Sequence, residues 1–199
     1  MKDWIGGKNS IYTAIGASNH TKKERQNDDY YATEPKAAEL LLQQEQFHHT
    51  IWECACGGGH LAKVFQKAGH EVIATDLVYR GYGDPEPLNF LEETLEDFEG
   101  DIITNPPYKY ALEFIQRALD SVKPGRKVAM FLKLTFLEGK KRKEFYQKTP
   151  PRTVYVSSSR LNCAMNGDFD TYKSNNAICY AWFVWVKGYQ GNTIIKWIN

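Results

Sequence analysis

The chain has 199 residues, 42% of them hydrophobic, and a formal net charge of +1. That length supports one domain with its own core, and the apolar content excludes a disordered chain. The near-neutral balance excludes a global commitment to nucleic acid, and no apolar run reaches the roughly 20 residues of a membrane-spanning helix.

Residues 1–32 are polar and read as an extended arm. Thr33 is placed to cap a helix and Pro35 to open its first turn, with Ala37, Ala38, Leu41 and Leu42 as the apolar stripe. Thr50–Ala55 reads as a short buried strand broken by Cys56-Gly57-Gly58-Gly59. Leu61, Val64, Phe65 and Ala68 recur at helical spacing, and Gly69 ends that helix. Glu71–Thr75 is a second strand. Tyr79–Pro87, with its glycines and prolines, is a loop. A very short strand at Leu88–Phe90 and a helix at Leu91–Phe98 follow. Asp101–Thr104 is a strand that stops at Asn105-Pro106-Pro107. Ala111, Phe114, Ile115, Ala118, Leu119 and Val122 form the clearest helical stripe, closed by Pro124-Gly125. Lys127–Leu132 is a strand and Leu137–Gln147 a basic helix. Thr153–Ser157 and Ala177–Val186 are late strands without a following helix, which predicts an antiparallel C-terminal hairpin. The alternation predicts an α/β domain over residues 1–199, with a mostly parallel sheet covered on both faces.

In such sheets ligands bind at the carboxyl ends of the strands. Three features fall there: the glycine loop, Asp76 and Asn105. Glycines in Glu53–Leu61 let a ligand approach the backbone, and the helix that follows offers free N–H groups. The loop lacks the Gly-Lys-Ser/Thr ending of a P-loop. Asp76 ends the second strand about 20 residues later, where an acid accepts hydrogen bonds from ribose hydroxyls. The same position also suits a helix cap.

Asn105-Pro106-Pro107-Tyr108 is the sharpest signal. Two prolines forbid continuation of the strand and hold residue 105 extended. The result is a rigid ledge presenting an amide, backbone carbonyls and an aromatic ring. A conjugated amino nitrogen is a poor nucleophile because its lone pair is drawn into the ring. The Asn105 side-chain carbonyl and the Pro106 backbone carbonyl can each accept one of its N–H bonds, and Tyr108 can stack on the acceptor.

Together these residues resemble the amino-methyltransferase branch of the class I S-adenosylmethionine-dependent methyltransferases, over nearly the whole chain. The resemblance implies a Rossmann-like fold with a seven-stranded sheet and S-adenosylmethionine as cofactor. It makes Asn105, Pro106, Pro107 and Tyr108 the catalytic motif. It places Glu53 near the methionine amino group, Asp76 on the ribose, Asn89-Phe90 at the adenine, and Tyr31-Ala32-Thr33-Glu34-Pro35 along the methionine pocket. Contacts from Tyr31, Thr33, Glu53, Cys54, Ala55, Gly57, Gly59, Asp76, Leu77, Asn89 and Phe90 follow. Gly16–His20, Asp29–Thr33 and Trp182–Trp185 further resemble small phage and prophage DNA N6-adenine methyltransferases, which implies adenine in DNA as substrate.

Ser157–Asn176 is the candidate substrate loop, with Ser159-Arg160-Leu161-Asn162 and Asn166-Gly167-Asp168 as surface features. It is small for reading several base pairs. A short site, weak specificity, a homodimer or a specificity partner would each accommodate that. Lys133, Lys140, Lys141 and Arg160 are candidate phosphate contacts. Basic runs at Lys22–Arg25 and Lys140–Lys143 also suit an ordinary solvated face. The same catalytic motif serves methylation of RNA bases and of protein glutamine amides. A non-catalytic DNA-bound regulator is the reading from another class, and the intact motifs argue against it. The four cysteines, Cys54, Cys56, Cys163 and Cys179, fit no common zinc spacing, so no metal is expected and the thiols are reduced. The N-terminus lacks the apolar stretch of a signal peptide, which makes a cytoplasmic location the expectation.

Overall fold

The structure, a computed structural model, describes residues 30–165, 167, 169 and 178–199. The arm before Tyr30 and much of the expected substrate loop lie outside the described residues. The elements are β1 (Tyr31–Thr33), α1 (Pro35–Gln44), β2 (Thr50–Glu53), α2 (His60–Lys67), β3 (Glu71–Ala74) and β4 (Asp101–Thr104). They continue with α3 (Ala111–Ser121), β5 (Lys127–Lys133), α4 (Lys140–Lys148), β6 (Thr153–Ser157), β7 (Cys163–Met165), β8 (Tyr180–Val186) and β9 (Ile194–Ile198). Among the described residues, no helix is long and apolar enough to cross a membrane.

Seven strands form the main sheet in the order β3-β2-β4-β5-β8-β6-β9. The pairs β2–β3, β2–β4, β4–β5 and β6–β9 are parallel, and β8 runs against both of its neighbours. The expected mostly parallel sheet and antiparallel C-terminal hairpin are therefore present. From β2 the chain steps to β3 on one side and to β4 on the other. That reversal is a topological switch point, and in open α/β sheets ligands bind at the carboxyl ends of the strands there, here β2 and β4.

Alternation along the strands divides the core into two layers. Ile103, Ala129, Phe131, Trp182 and Val184 pack with Ala37, Leu41, Leu61 and Phe65 of α1 and α2. Ile102, Val128, Met130, Phe183 and Trp185 pack with Phe114, Ile115 and Ala118 of α3, and with Phe145 of α4. Trp182 donates from Nε1 to the Ala37 carbonyl at 2.8 Å, and Trp185 to the Thr149 carbonyl at 3.1 Å. Each large buried ring thus keeps its one polar atom satisfied.

Several boundaries differ from the sequence reading. Thr33 belongs to β1, paired with Cys163, and Glu34 takes the N-cap position of α1 without a side-chain capping bond. Pro35 holds Glu34 extended (φ −62°, ψ 139°), so the helix cannot begin earlier. No strand forms at 88–90 and no helix at 91–98. Phe98 is drawn into a parallel bridge with Val122, and its N–H donates to the Ser121 carbonyl. Those bonds hold the segment open where Leu91 and Leu95 alone would favour a helical turn. The seventh strand is instead β9, which carries no apolar–polar alternation to announce it. The basic helix starts at Lys140, behind a 3-10 turn over Leu134–Leu137. Within the expected substrate loop, Cys163–Met165 is β7, which pairs with β1 as a separate two-stranded sheet.

Candidate active site

The glycine loop follows β2 directly. Gly57 and Gly59 take φ of +51° and +76°, a region that side chains rarely adopt. Gly59 in this conformation is the N-cap of α2. Asp76, beyond the end of β3, ties the loop down. Its Oδ2 accepts the Gly57 N–H at 2.8 Å and its Oδ1 the Val78 N–H at 3.0 Å. Each oxygen keeps a further lone pair for a hydroxyl. The approach that Gly57 permits is made in this structure by Tyr30, whose ring lies where a Cβ would sit. The Tyr30 hydroxyl accepts the Gly58 N–H at 2.8 Å and lies 3.0 Å from His60 Nδ1.

Glu53 is buried at the end of β2, 2% exposed. Burial pushes its carboxyl well above the ordinary value of 4.5, against a hydrogen bond from the Ala62 backbone, and Asp76 adds to the rise. Among the described residues no donor reaches its Oε2. Cys56, on the loop, is pushed up to about 12 by burial, with Glu53 and Asp76 adding to the effect. Burial also raises the Cys54 thiol well above its usual value. Neutral thiols are poor nucleophiles, so the loop offers no covalent route.

Asn105 stands at the end of β4. Its Nδ2 donates to the Tyr31 carbonyl of β1 at 3.1 Å. Since a carbonyl only accepts, this bond fixes which way the amide faces. The other atom, Oδ1, is buried and has no donor among the described residues. Pro106 is buried, Pro107 exposed, and Tyr108 opens a 3-10 turn over Tyr108–Tyr110. The Tyr108 ring is half-buried and packs against both core layers. Its hydroxyl is 3.5 Å from Cys163 Sγ, its ring lies 6.1 Å from that of Tyr180 at 28°, and Lys133 Nζ sits over it at 5.0 Å.

Strand order and these bonds bring Tyr31, Glu53, Gly57, Asp76 and Asn105 to one sheet edge. Leu88 donates to the Asp76 carbonyl at 2.9 Å, which returns the Asn89-Phe90 segment to that edge. Phe90 itself is 2% exposed and packs edge-on to Trp52 at 5.2 Å, so its ring is committed to the core. Asn89 Oδ1 accepts the Leu91 N–H in a local turn. Leu77 is exposed beside Asp76, Cys54 and Thr33 are buried, and Ala55 is half-buried. Lys133 ends β5, and Lys140 is exposed at the start of α4, beyond the same end of the sheet. The side chain of Lys141 lies outside the described residues. Arg160 is exposed and bonded to Cys179 Sγ. Sequence reasoning missed Tyr30, His60 and Cys163. Tyr30 carried the signal of an aromatic at the border of the polar arm, and Cys163 carried none.

Neither a protein-family model nor a curated protein matches the sequence. Solved structures match the fold. A protein of Listeria monocytogenes described as a class I S-adenosylmethionine-dependent methyltransferase has a TM-score of 0.53 at 15% identity, over 80% of this chain and 62% of its own. A modification subunit of a type I restriction enzyme from Vibrio vulnificus gives 0.54 at 15% identity, over 87% and 48%. The type I restriction enzyme EcoKI M protein gives 0.54 at 16% identity, over 82% and 45%. The chain thus spans less than two thirds of the length of each. Identities this low speak to architecture alone, and on that footing the chain has the Rossmann-like fold of the class I methyltransferases.

Proposed function

We propose that this protein transfers a methyl group from S-adenosylmethionine to the exocyclic N6 of adenine in DNA. The observation that carries the reading is Asn105 Oδ1, a buried acceptor without a donor among the described residues, on a ledge fixed by two prolines. A buried acceptor left unpaired costs roughly 1–3 kcal/mol, and an incoming N–H removes that cost.

The residues around the glycine loop fit the cofactor. Glu53 Oε2 is a second buried acceptor without a donor among the described residues, suited to an ammonium group. Asp76 retains lone pairs for ribose hydroxyls, and Tyr31 and Thr33 line the adjoining strand. When bound, S-adenosylmethionine supplies a methyl group on a sulfonium, a leaving group that needs no strong base. The protein's part is then positioning. Asn105 Oδ1 and the Pro106 carbonyl accept the two N–H bonds of the target amine, which frees its lone pair for in-line attack on the methyl carbon, with the sulfur leaving as a neutral thioether; the nitrogen would then release one proton to solvent. Tyr108 stacks on the base, and a duplex target would be flipped out to reach it.

DNA is favoured over RNA or protein on two grounds. Two of the matched structures are described as a modification subunit and an M protein of type I restriction enzymes. In addition, α4 opens on four basic residues, Lys140–Lys143, with no acid in its first turn. That order opposes the helix dipole and raises positive potential where a phosphate backbone would pass. Lys133 and Arg160 extend the same edge. The small loop after β6 fits a short target site, or recognition shared with a specificity partner or second copy, in the cytoplasm.

The test is long-read sequencing of DNA from a methylation-deficient host expressing the chain. N6-methyladenine in a recurring context is the expected result. Unmodified DNA together with labelled RNA or protein would overturn the assignment.

A further inference from the structure

The catalytic ledge is rigid in its backbone, but the ring of Tyr108 still turns about its own side-chain torsions. Its far end meets Cys163, with hydroxyl and Sγ 3.5 Å apart across 55 positions of sequence. Cys163 lies on β7, opposite Thr33 of β1. Two residues earlier on β1, the Tyr31 carbonyl receives the Asn105 amide at 3.1 Å. One two-stranded sheet therefore meets both polar side chains of the proposed catalytic loop, Asn105 through β1 and Tyr108 through β7. The Cys163 thiol is buried and burial raises it, so it stays neutral and meets a phenol without charge repulsion.

We propose that Cys163 is a positioning residue for Tyr108: its thiol sets the pitch of the ring on which the methyl acceptor stacks. This rests on the proposed function. The acceptor must meet Asn105 Oδ1 and the ring at once, and a displacement near 1 Å costs on the order of 100-fold in rate. Loss of one weak anchor shifts the ring by less, so a smaller effect is expected.

The experiment is a double-mutant cycle of Cys163→Ala and Tyr108→Phe, assayed by methyl transfer to an adenine-containing duplex and by calorimetric binding of S-adenosylmethionine. Each single variant should lower kcat/KM for DNA by about tenfold and leave cofactor affinity within about twofold. The double variant should have a kcat/KM no worse than Tyr108→Phe, which already removes the Cys163 contact together with the phenol's bond to Tyr180. Effects that multiply, or wild-type kcat/KM in Cys163→Ala, would overturn the role. A merely structural cysteine would lower the unfolding midpoint and leave the folded fraction's kcat/KM unchanged. Wild-type protein inactive on DNA defeats the proposed reaction before any variant is made. The same cycle then reads the unfolding midpoint, where additive shifts overturn the pairing itself.

Discussion

The two ends of the main sheet bury polar groups to similar depth and treat them in opposite ways. At the amino end, Asp101 Oδ2 accepts the His48 N–H and its Oδ1 the Lys127 N–H, both at 2.7 Å. Glu45, 6% exposed, receives Lys127, Arg152 and the Tyr155 hydroxyl. These carboxylates lock the starts of the strands together. At the carboxyl end, Glu53 Oε2, Thr104 Oγ1 and Asn105 Oδ1 are buried without a donor among the described residues. The first end is nearly finished by folding, with Arg152 Nε alone left buried and unpartnered there among the described residues. The second is left with open valences, which a stable fold tolerates only where a ligand or water completes them.

The contrast breaks most visibly at Glu45. Removing one partner of a buried ion pair leaves the others uncompensated, so Glu45→Ala should cost about 3–5 kcal/mol. Denaturant unfolding measures this, and activity per folded molecule should not change. Asn105→Ala should do the reverse. Loss of the acceptor should lower methyl transfer by roughly 100- to 1000-fold, with cofactor affinity and unfolding midpoint nearly unchanged. A stability loss at Asn105 comparable to that at Glu45 would erase the distinction between the ends.

Protonation sharpens it further. Burial alone would raise Glu45, but hydrogen bonds from Lys127, Tyr155 and Arg152 outweigh it and hold the carboxyl below 4.5. Its contribution to stability is present above that value and is lost as pH falls through the depressed pKa. Glu53 is raised instead, so the fold favours its neutral form. Its contribution is present below the unfolded value and is lost as pH rises toward the raised one. Glu53→Gln should therefore flatten the alkaline side of the profile, gaining stability at pH 8 and little at pH 5. The same variant should weaken S-adenosylmethionine binding. Unfolding midpoints across pH 4–9, with calorimetry at pH 8, check both.

The carboxyl end was the more legible of the two. Asn105-Pro106-Pro107 and the glycine loop are local signals, because proline and glycine constrain the chain through their own geometry. Asp76 was legible from its distance behind the loop. Glu45, Lys127, Arg152 and Tyr155 were not, since their meeting depends on strand order across more than 80 positions of sequence. The pairing of β1 with β7 was hidden for the same reason, and it also reassigned Thr33 from a cap to a strand. The packing of the Phe90 ring against Trp52 was equally hidden, because nothing local says that the two would meet.

The smallest effect concerns the two lysines that stand at opposite ends. Lys127 Nζ lies 2.7 Å from Glu45 Oε2, with its side chain 18% exposed. Lys140 is exposed at the first position of α4 and has no acid in that turn. A cation there opposes the helix dipole, so Lys140→Ala should raise stability by about 0.3–1 kcal/mol. If the residue meets a phosphate, the same change should reduce the slope of log affinity for DNA against log salt by about 0.9. Lys127→Ala should leave that slope alone and lower stability. A residue that destabilises its own helix while steepening the salt dependence is held for binding. An unchanged slope in Lys140→Ala would return that turn to the ordinary solvated surface.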